Sequence, residues 1–415
     1  MADKKRIIIL GSGFGSIHTF LELHRQFHNR VDAPEVTIVS PNDSFLYNLL
    51  LHEVATGGVD AASLIHPIRE IGRCGCGLLR NVITAEASPV DTRRAVITTT
   101  AGELSFDYAV VGIGAVTRLF DFDPRLVFTL KNVEQAQALK RHIATMFVRA
   151  SRSSDVGERK RLLTFVIVGG GPTGVELSTE ISAFVREALL KTHPNVNRED
   201  VSVLLLQSGS ELVPTFKPFV RRHAERRLRK TPHVTVRMNS RAHTITANSV
   251  TLSTGQIIPA ATAIVVAGVQ PRQIVFAPHA PLAKSGQIEV NECLQVPGAP
   301  HVFVIGDMAS IKQGKGFAPL TAQAAKYEGS AAGKNIAALI RGKPLKPFVY
   351  RELAQVVSLG RWHAAGQVLN LYGFGPLMWL VWRGIDAGNF LTGRNLRAVL
   401  KDWIRDIVRG KTIVN

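Results

Sequence analysis

Residues 6–15 read RIIILGSGFG, and residues 165–174 read FVIVGGGPTG. Each stretch is a short, mostly β-branched apolar run, followed by closely spaced glycines and then by a helical pattern. A further apolar run closes each unit, at 36–39 and at 201–206. Apolar runs that alternate with helical segments are typical of parallel β-α-β units. The sequence therefore predicts an α/β protein with two nucleotide-binding units.

The two glycine motifs have the spacing of diphosphate-binding turns. The first glycine permits a tight turn, the second lets a phosphate approach the backbone, and the next helix presents its amides and positive dipole end. We predict that the first motif holds the diphosphate of FAD and the second that of NADH or NADPH. The residues assigned to these contacts are Gly11, Gly13, Phe14 and Gly15 in the first motif and Gly169, Gly171, Pro172, Thr173 and Gly174 in the second.

The ribose ends of both predicted sites depart from the usual pattern. An acid normally follows the second strand and binds the ribose hydroxyls, but Ser40 and Gln207 stand there. Serine still hydrogen-bonds a hydroxyl. Gln207 removes the charge that would repel a 2′-phosphate, so we expect the second site to accept NADPH. No arginine falls within 208–212 to bind that phosphate, so strict use of NADPH is not expected.

Three more apolar runs end in glycine: 108–115 with Gly114, 263–268 with Gly268, and 301–307 with Gly306. Asp307, which follows the last of them, either bonds the ribityl chain of a flavin or caps the next helix. Glu176 lies just inside the helix after the second glycine motif. The simplest explanation of Glu176 is that a carboxylate is favourable near the positive N-terminal end of a helix.

Composition limits the remaining possibilities. A chain of 415 residues is expected to form two or three domains. Its net charge of +18 attracts anions, which are nucleic acid, an anionic lipid surface or phosphorylated ligands, and the charge alone does not choose among them. We interpret Cys74, Cys76 and Cys293 as reduced thiols, because their spacing fits neither a zinc quartet nor an easy disulfide. We expect no signal peptide before the first strand and no transmembrane helix, because no apolar run is long enough.

Two segments are strongly basic. Residues 217–230 (KPFVRRHAERRLRK) are interpreted chiefly as a solvated helical face, with guidance of NADPH or contact with anionic lipid as alternatives. They match no nucleic-acid reader motif, and no nucleic-acid partner is predicted. Residues 394–411 interleave apolar and basic side chains at helical spacing. Together with the nearby tryptophans this tail favours a membrane interface; packing onto the body and a dimer interface are the alternatives.

The ordered set of motifs resembles that of the type II NADH:quinone oxidoreductases, the alternative NADH dehydrogenases. The resemblance covers nearly the whole chain. The segments that carry it are the two glycine motifs and residues 49–57, 267–269, 294–298, 304–307 and 322–325.

This resemblance implies interleaved Rossmann-like domains for FAD and NAD(P)H, followed by a C-terminal amphipathic helical segment that binds the membrane. The expected boundaries are 1–117 and 276–345 for the FAD domain, 118–275 for the NAD(P)H domain and 346–415 for the membrane segment. It also implies FAD-dependent electron transfer from NAD(P)H to a quinone without proton pumping. The expected location is peripheral, on the cytoplasmic face of the cell membrane, and a homodimer is compatible with the resemblance.

The resemblance also assigns roles by motif match. Gly306 and Asp307 would hold the ribityl side of FAD, and Ala322 and Gln323 would border the flavin ring and the quinone path. Glu176 would lie near the nicotinamide and support proton or charge coupling. Tyr327 stands where the family has a second glutamine, and we count it with Gln323 and Glu176 as a candidate catalytic residue. Ala87, Gly114 and Gly268 complete the expected cofactor contacts.

Other functions fit the same scaffold. A related flavoprotein reductase with a different acceptor is one, although sulfide:quinone oxidoreductases need cysteines beside the flavin that this chain lacks. A nucleotide-binding subunit of a larger assembly, without turnover of its own, is another. Flavin reduction by NADPH without quinone reduction would favour the second alternative.

Overall fold

The computed structural model describes residues 4–72, 76–314 and 316–413, so Cys74 lies outside the described residues. The chain divides into two compact units. The first comprises residues 1–46, 65–116 and 269–351, and the second comprises 47–64, 117–268 and 352–415. The polypeptide therefore passes back and forth between the units. The expected α/β class with two Rossmann-like units is confirmed.

The described strands, in chain order, are β1 (Arg6–Leu10), β2 (Glu35–Ser40), β3 (Ser44–Leu46), β4 (Ile65–Pro67), β5 (Leu79–Thr84), β6 (Ala87–Asp91), β7 (Val96–Thr99), β8 (Gly102–Ser105), β9 (Tyr108–Val111), β10 (Ala115–Thr117), β11 (Thr164–Val168), β12 (Ser202–Leu206), β13 (Val234–Arg237), β14 (Ala242–Ile245), β15 (Ser249–Leu252), β16 (Ile257–Pro259), β17 (Thr262–Val265), β18 (Val269–Pro271), β19 (Phe276–Ala277), β20 (Ile288–Glu289), β21 (Gln295–Val296), β22 (Ala299–Val304), β23 (Ala309–Ser310), β24 (Lys312–Gln313), β25 (Gly316–Phe317), β26 (Ala354–Ser358), β27 (Ala364–Val368) and β28 (Leu371–Gly375).

The described α-helices are α1 (Phe14–Phe27), α2 (Leu51–Val54), α3 (Ile68–Ile71), α4 (Val133–Arg152), α5 (Val156–Leu162), α6 (Pro172–Phe184), α7 (Leu190–Thr192), α8 (Pro218–Leu228), α9 (Ala322–Ile340), α10 (Pro376–Ala387) and α11 (Gly393–Arg409).

The first unit is built on a six-stranded sheet in the order β21-β22-β9-β1-β2-β5. Strand β1 lies between β2 and β9 and is parallel to both, with Leu10 opposite Val39 and Val111. Its isoleucines are almost fully buried, as expected for a strand with helices on both faces. The carboxyl ends of these strands coincide, which brings the turns that follow them to one edge. A smaller sheet, β19-β6-β7-β8, belongs to the same unit.

Helices α1 and α9 of the first unit pack closely through glycine. A Cβ atom at Gly329 would overlap the carbonyl oxygen of Gly15, and one at Gly333 would lie 3.0 Å from the carbonyl oxygen of Thr19. Side chains larger than hydrogen at these two α9 positions would push the helices apart.

The second unit repeats the arrangement on a parallel sheet in the order β13-β12-β11-β17. Strand β11 lies between β12 and β17, with Val168 opposite Leu206 and Val265. An antiparallel sheet of β14, β15 and β16 contributes to one core with the parallel strands, through residues such as Val250 and Val166. The glycine turn after β11 therefore occupies the same place in its sheet as the turn after β1.

The C-terminal part of the second unit is an antiparallel sheet of β26, β27 and β28, followed by α10 and α11. Within the described part of the chain, we find no helix both long and apolar enough to cross a membrane.

Candidate active site

The first glycine turn forms an open cradle at the start of α1. Gly11 has a φ of +97°, a conformation that glycine adopts without strain, and Gly13 caps the helix with no side chain bonded to its first amides. A Cβ atom at Gly13 would meet no protein atom within 4 Å. The backbone at Gly13 is therefore open to close approach, as binding of a diphosphate at a helix N-terminus requires.

Two further segments lie at the same edge of the first sheet. Ser40, at the end of β2, donates a hydrogen bond from its hydroxyl to that of Ser12 within the glycine turn, at 3.0 Å. Gly306 and Asp307 follow β22, and the Ile305 amide bonds the Val111 carbonyl at 3.0 Å. The residues predicted to contact the diphosphate, a ribose and the ribityl chain therefore lie at one edge of the first sheet. Their chemistry fits FAD.

A buried acid that sequence reasoning missed supports this edge. Glu328 of α9 is 2 % exposed and accepts a hydrogen bond from the Gly306 amide at 2.5 Å. Burial raises the pKa of Glu328 to about 7, with Asp307 adding to the rise, while the Gly306 amide opposes it. Glu328 fixes the turn that carries Asp307.

The other predicted residues of the first unit are more scattered. Gly114 has a φ of +74°, and its carbonyl accepts from the Arg272 amide at 3.1 Å. Ala87 begins β6 of the smaller sheet, and the residue whose amide bonds the Ser40 carbonyl is Ala85, at 3.1 Å. Ala85, two residues before Ala87, therefore lies beside the end of β2.

Ala322, Gln323 and Tyr327 occupy the first two turns of α9. Thr321 caps this helix by accepting from the Ala324 amide at 3.1 Å. Gln323 accepts from the Tyr350 hydroxyl at 3.4 Å, and the rings of Tyr327 and Tyr350 lie 6.4 Å apart. All three predicted residues are partly exposed, so this end of α9 presents an amide and two phenol rings together.

The second glycine turn reproduces the first in the second unit. Gly169 has a φ of +121°, and Gly171 caps α6 at φ −74° and ψ −176°, close to the −79° and −175° of Gly13. A Cβ atom at Gly171 would again meet nothing within 4 Å, whereas one at Gly174 would overlap the Gly169 carbonyl oxygen. Pro172 and Thr173 form the first helical turn, where the missing N–H of proline is harmless. This turn also fits a diphosphate.

Gln207 lies beside that turn but is held by its own loop. Its Oε1 accepts from the Gly170 amide at 3.2 Å, and its Nε2 donates to the Glu211 carbonyl at 2.9 Å. Gly268, which follows β17, has a φ of +74° and accepts from the Arg118 amide at 3.3 Å.

Glu176 lies on α6 of the second unit, whereas Gln323 and Tyr327 belong to the first unit. The side chain of Glu176 is only 14 % exposed, and its Oε1 accepts from the Ser358 amide at 3.2 Å. Burial raises the pKa of Glu176 well above its ordinary value; nearby Asp386 and Glu53 add to the rise, and only the Ser358 amide opposes it. Glu176 therefore holds a proton more tightly than an exposed glutamate does.

His52 is close to Glu176 and is also buried. Its Nδ1 lies 3.9 Å from Glu176 Oε2, and its Nε2 lies 3.9 Å from Glu53 Oε1. Burial, followed by Arg383 and Lys411, lowers the pKa of His52 to about 4 against an opposing contribution from Glu180. The imidazole is neutral near pH 7, so neither contact is an ion pair there.

One turn further along α6, Glu180 forms a buried ion pair with Lys411. The Lys411 ammonium also lies 3.5 Å from Asp406 of α11. Burial raises the pKa of Glu180, but Lys411 and His52 outweigh it, so the pKa is lowered. Burial lowers the pKa of Lys411, but Glu180, Asp406 and Glu53 outweigh it and raise the pKa. Both groups are therefore charged at neutral pH.

A second buried ion pair joins Arg383 of α10 to Glu53 at 2.6 Å. The guanidinium lies over three indole rings, 5.0, 4.5 and 4.3 Å from the ring centres of Trp379, Trp382 and Trp403. These tryptophans are buried, so the prediction that they line a membrane interface does not describe their environment. They instead enclose a cation, as cation–π contacts favour.

Three acids of this cluster have raised pKa values. Glu176 is one; burial raises the pKa of Asp386 to about 7 and that of Asp406 to about 6. Tyr47 donates its hydroxyl proton to Asp386 at 2.7 Å. The five acids Glu53, Glu176, Glu180, Asp386 and Asp406 outnumber the two cations, Arg383 and Lys411. The raised pKa values favour protonated carboxyls, which reduces this excess of negative charge.

Most of this cluster was not predicted from the sequence. One signal was available, because Glu176 and Glu180 lie four residues apart on a mostly buried helix, α6, that carries no other charged side chain. Lys411, Arg383 and Asp386 carried no comparable signal, since only the fold brings them to α6.

Comparison with known proteins shows the family to which the chain belongs. The family model of the pyridine nucleotide-disulphide oxidoreductases matches residues 5–329. A type II NADH:quinone oxidoreductase of Mycobacterium tuberculosis is 27 % identical over 414 residues, which cover 96 % of this chain and 87 % of that protein. An external alternative NAD(P)H-ubiquinone oxidoreductase of Solanum tuberosum is 30 % identical over 334 residues, which cover 76 % and 56 %.

Among solved structures, that of NDH2 from Plasmodium falciparum in complex with NADH superposes with a TM-score of 0.90. The two chains are 18 % identical, and each is covered over 100 % of its length. This likeness establishes that the folds agree. The chain belongs to the pyridine nucleotide-disulphide oxidoreductase family, and its recognition as a relative of the type II NADH:quinone oxidoreductases is confirmed.

Proposed function

We propose that this chain is an FAD-dependent NAD(P)H:quinone oxidoreductase that works without pumping protons. The duplicated glycine turn carries this proposal, because two open helix N-termini with matching backbone angles suit two dinucleotides. Relatives that match nearly the whole chain bear the name of this activity.

The residues of each unit have separate tasks in this scheme. In the first unit, the amides after Gly13 bind the FAD diphosphate, Ser40 a ribose hydroxyl and Asp307 the ribityl chain. In the second unit, the amides after Gly171 bind the diphosphate of the nicotinamide nucleotide. FAD held by these residues would supply the chemistry of hydride acceptance and of two-electron transfer.

Quinone reduction also needs protons, which the chain's own acids are suited to hold. Reduction to quinol consumes two electrons and two protons, and a hydride brings both electrons but only one proton. Glu176, with its raised pKa, is our candidate for holding and releasing a proton. Asp386, whose charge acts on Glu176, would exchange protons with it, because the pKa of Asp386, about 7, lies near neutrality.

Gln323 and Tyr327, both residues of the first unit, are proposed to border the quinone path. Tyr350, within hydrogen-bonding distance of Gln323, orients that amide. Tyr327 offers a ring face and a hydroxyl where the family pattern has an amide. We expect it to change which quinones are accepted more than whether flavin is reduced.

The nucleotide preference follows from Gln207, which presents no negative charge to a 2′-phosphate. Arg221 of α8 is paired with Glu211, the residue whose carbonyl accepts from Gln207. We propose that NADPH is accepted and NADH is not excluded. Gln207→Glu should lower kcat/KM for NADPH about tenfold while sparing NADH. A strong NADH preference in the unchanged protein would contradict this.

An anaerobic titration tests the main proposal. The purified yellow protein is titrated with NADH or NADPH, and a quinone is then added. We expect the flavin absorbance to bleach and then return. A colourless protein that takes up no FAD would refute the scheme. Bleaching without reoxidation by quinone, together with reoxidation by a soluble acceptor, would favour the alternative reductase.

We also propose that the second unit binds an anionic membrane surface through an exposed apolar stripe on α11. Leu400, Ile404 and Val408 are 41 %, 62 % and 74 % exposed. Exposed Leu371, Phe374 and Leu377 lie on β28 and at the start of α10. Exposed basic residues, Arg394, Arg397, Lys401 and Arg409, share α11 with the stripe. A location on the cytoplasmic face, and dimerisation, remain proposals of the same kind.

The burial of each residue determines which variants can test the membrane-binding surface. Deleting 366–415 would remove Arg383, Asp386 and Lys411 from the buried cluster, and Trp403→Glu would place a charge in the core. Ile404→Glu with Val408→Glu alters only exposed positions. In flotation with anionic vesicles this double variant should lose binding, whereas the control Val31→Glu, at a fully exposed residue of the first unit, should float like the parent. Equal flotation of both variants would contradict the proposal.

A further inference from the structure

The C-terminal end of α1 carries a cluster of metal-ligand side chains that the flavin site does not use. His24 lies in the last turn of the helix, and His28 is its C-cap residue. Their Nε2 and Nδ1 atoms are 3.3 Å apart, and the Sγ atom of Cys76 completes a set whose ligand atoms all lie within 4.8 Å of one another. No other set of three such side chains meets this criterion in the described ranges.

The nitrogen–nitrogen distance is that of two ligands on one tetrahedral ion. Zinc–nitrogen bonds of about 2.0–2.1 Å at tetrahedral angles separate two imidazole nitrogens by roughly 3.3 Å. A thiolate on the same ion, with a bond of about 2.3 Å, lies roughly 3.6 Å from each nitrogen. Rotation of partly exposed side chains can close the rest of the 4.8 Å span.

The surroundings favour a bound cation despite the positive net charge of the chain. The carbonyls at the end of α1 give that end a partial negative charge, which attracts cations. Two described arginines close to the histidines in the sequence are paired with acids, Arg25 with Glu22 and Arg30 with Asp32 at 2.8 Å.

We propose that His24, His28 and Cys76 bind a zinc-class transition-metal ion. Two imidazoles and a thiolate exclude magnesium and calcium, which take oxygen ligands. Three protein ligands leave a fourth position for water, and His28 is exposed. The ion should therefore exchange with solvent, unlike one in a closed structural site. This site lies outside the cofactor turns and does not depend on the proposed electron transfer.

Zinc binding to the full-length, untagged, flavin-loaded protein tests the site. The protein is stripped with a chelator, and Zn²⁺ affinity is measured by competition with a chromogenic chelator. We expect one zinc ion per chain and at least tenfold weaker binding in Cys76→Ser and in His28→Ala. Cys293→Ser and His279→Ala, which change a cysteine and a histidine outside the cluster, are matched controls and should bind like the parent.

X-ray absorption at the zinc edge identifies the ligands without interference from the flavin. One sulfur and two nitrogens are expected, with the sulfur lost in Cys76→Ser. Unchanged affinity in both site variants, or a zinc spectrum without sulfur, would overturn the proposal. So would loss of zinc in Cys74→Ser with retention in Cys76→Ser. If Cys76→Ser loses its flavin or its thermal stability, the zinc affinity of His28→Ala, a change at an exposed residue, alone decides whether the proposal holds.

Discussion

The two glycine turns share a backbone, but the helices that follow them differ. In the first unit, α1 packs against α9 through Gly15 and Gly329, and Ser16 and Thr19 bond backbone carbonyls. In the second unit, the corresponding helix carries Glu176 and Glu180 into a buried network of charges. The same glycine turn is therefore followed by a closely packed helix in the first unit and by a helix with buried titratable groups in the second unit.

The largest expected effect contrasts the two acids of α6. Glu180→Gln leaves the Lys411 ammonium buried with a weaker partner and should cost about 3–5 kcal/mol of unfolding free energy. Glu176→Gln keeps an acceptor for the Ser358 amide and should leave stability nearly unchanged while lowering kcat for quinone reduction. Thermal unfolding and steady-state rates separate the two. Equal stability losses would show that both acids are merely structural.

The next effect uses pH to probe the acid that supports the first turn. The folded chain holds a proton on Glu328 up to about pH 7, whereas the unfolded chain releases it near 4.5. This group therefore lowers stability as the pH rises between those values. Glu328→Gln keeps the acceptor for the Gly306 amide and removes the titration.

We expect the stability of Glu328→Gln relative to the parent to rise through that window by up to about 3 kcal/mol and then to stay level. Urea unfolding at several pH values measures it. Glu289→Gln, at an exposed carboxylate, is the control and should shift stability by less than about 0.5 kcal/mol. A pH-independent difference for Glu328→Gln would mean that the carboxyl is ionised throughout.

Two glycine-to-alanine substitutions with opposite expected effects on stability test the close contact between α1 and α9 in the first unit. Gly329→Ala places a Cβ atom against the Gly15 carbonyl and should cost about 2 kcal/mol together with some FAD. Gly384→Ala on α10 meets nothing within 4 Å and should stabilise by up to about 1 kcal/mol. Chemical unfolding and flavin content provide the readouts. Equal effects of Gly329→Ala and Gly384→Ala on stability would show that the contact between α1 and α9 is unimportant.

The smallest expected effect distinguishes the two turns by ligand. Gly13→Ala should weaken FAD binding about tenfold, and Gly171→Ala should raise KM for the nicotinamide nucleotide about tenfold, roughly 1.4 kcal/mol each. Neither should alter stability much, because both added methyl groups enter open space. Flavin release and NADH kinetics report the two separately. Loss of FAD from Gly171→Ala would contradict the assignment.

Local patterns predicted the elements that local chemistry determines. The strand at 6–10 and both glycine turns were predicted closely, because β-branched runs and glycine spacing act within a few residues. The amphipathic helix predicted over 394–411 is α11, but the sequence could not tell which of its apolar residues are buried. Trp403 is buried against Arg383, a residue of another helix. Glu328 was missed for the same reason, since its partner, the Gly306 amide, comes from a distant turn.

The discontinuity of the second unit has a consequence for biosynthesis. Tyr47 and Asp386, which are hydrogen-bonded in the finished unit, are 339 residues apart in the chain. At synthesis rates of roughly 5–20 residues per second, residue 47 waits roughly 20 to 70 s for its partner to be made. Residues 47–64 meanwhile leave the ribosome without the helices that will bury them. We expect a nascent chain of this protein to need chaperone protection of that segment until translation is nearly finished.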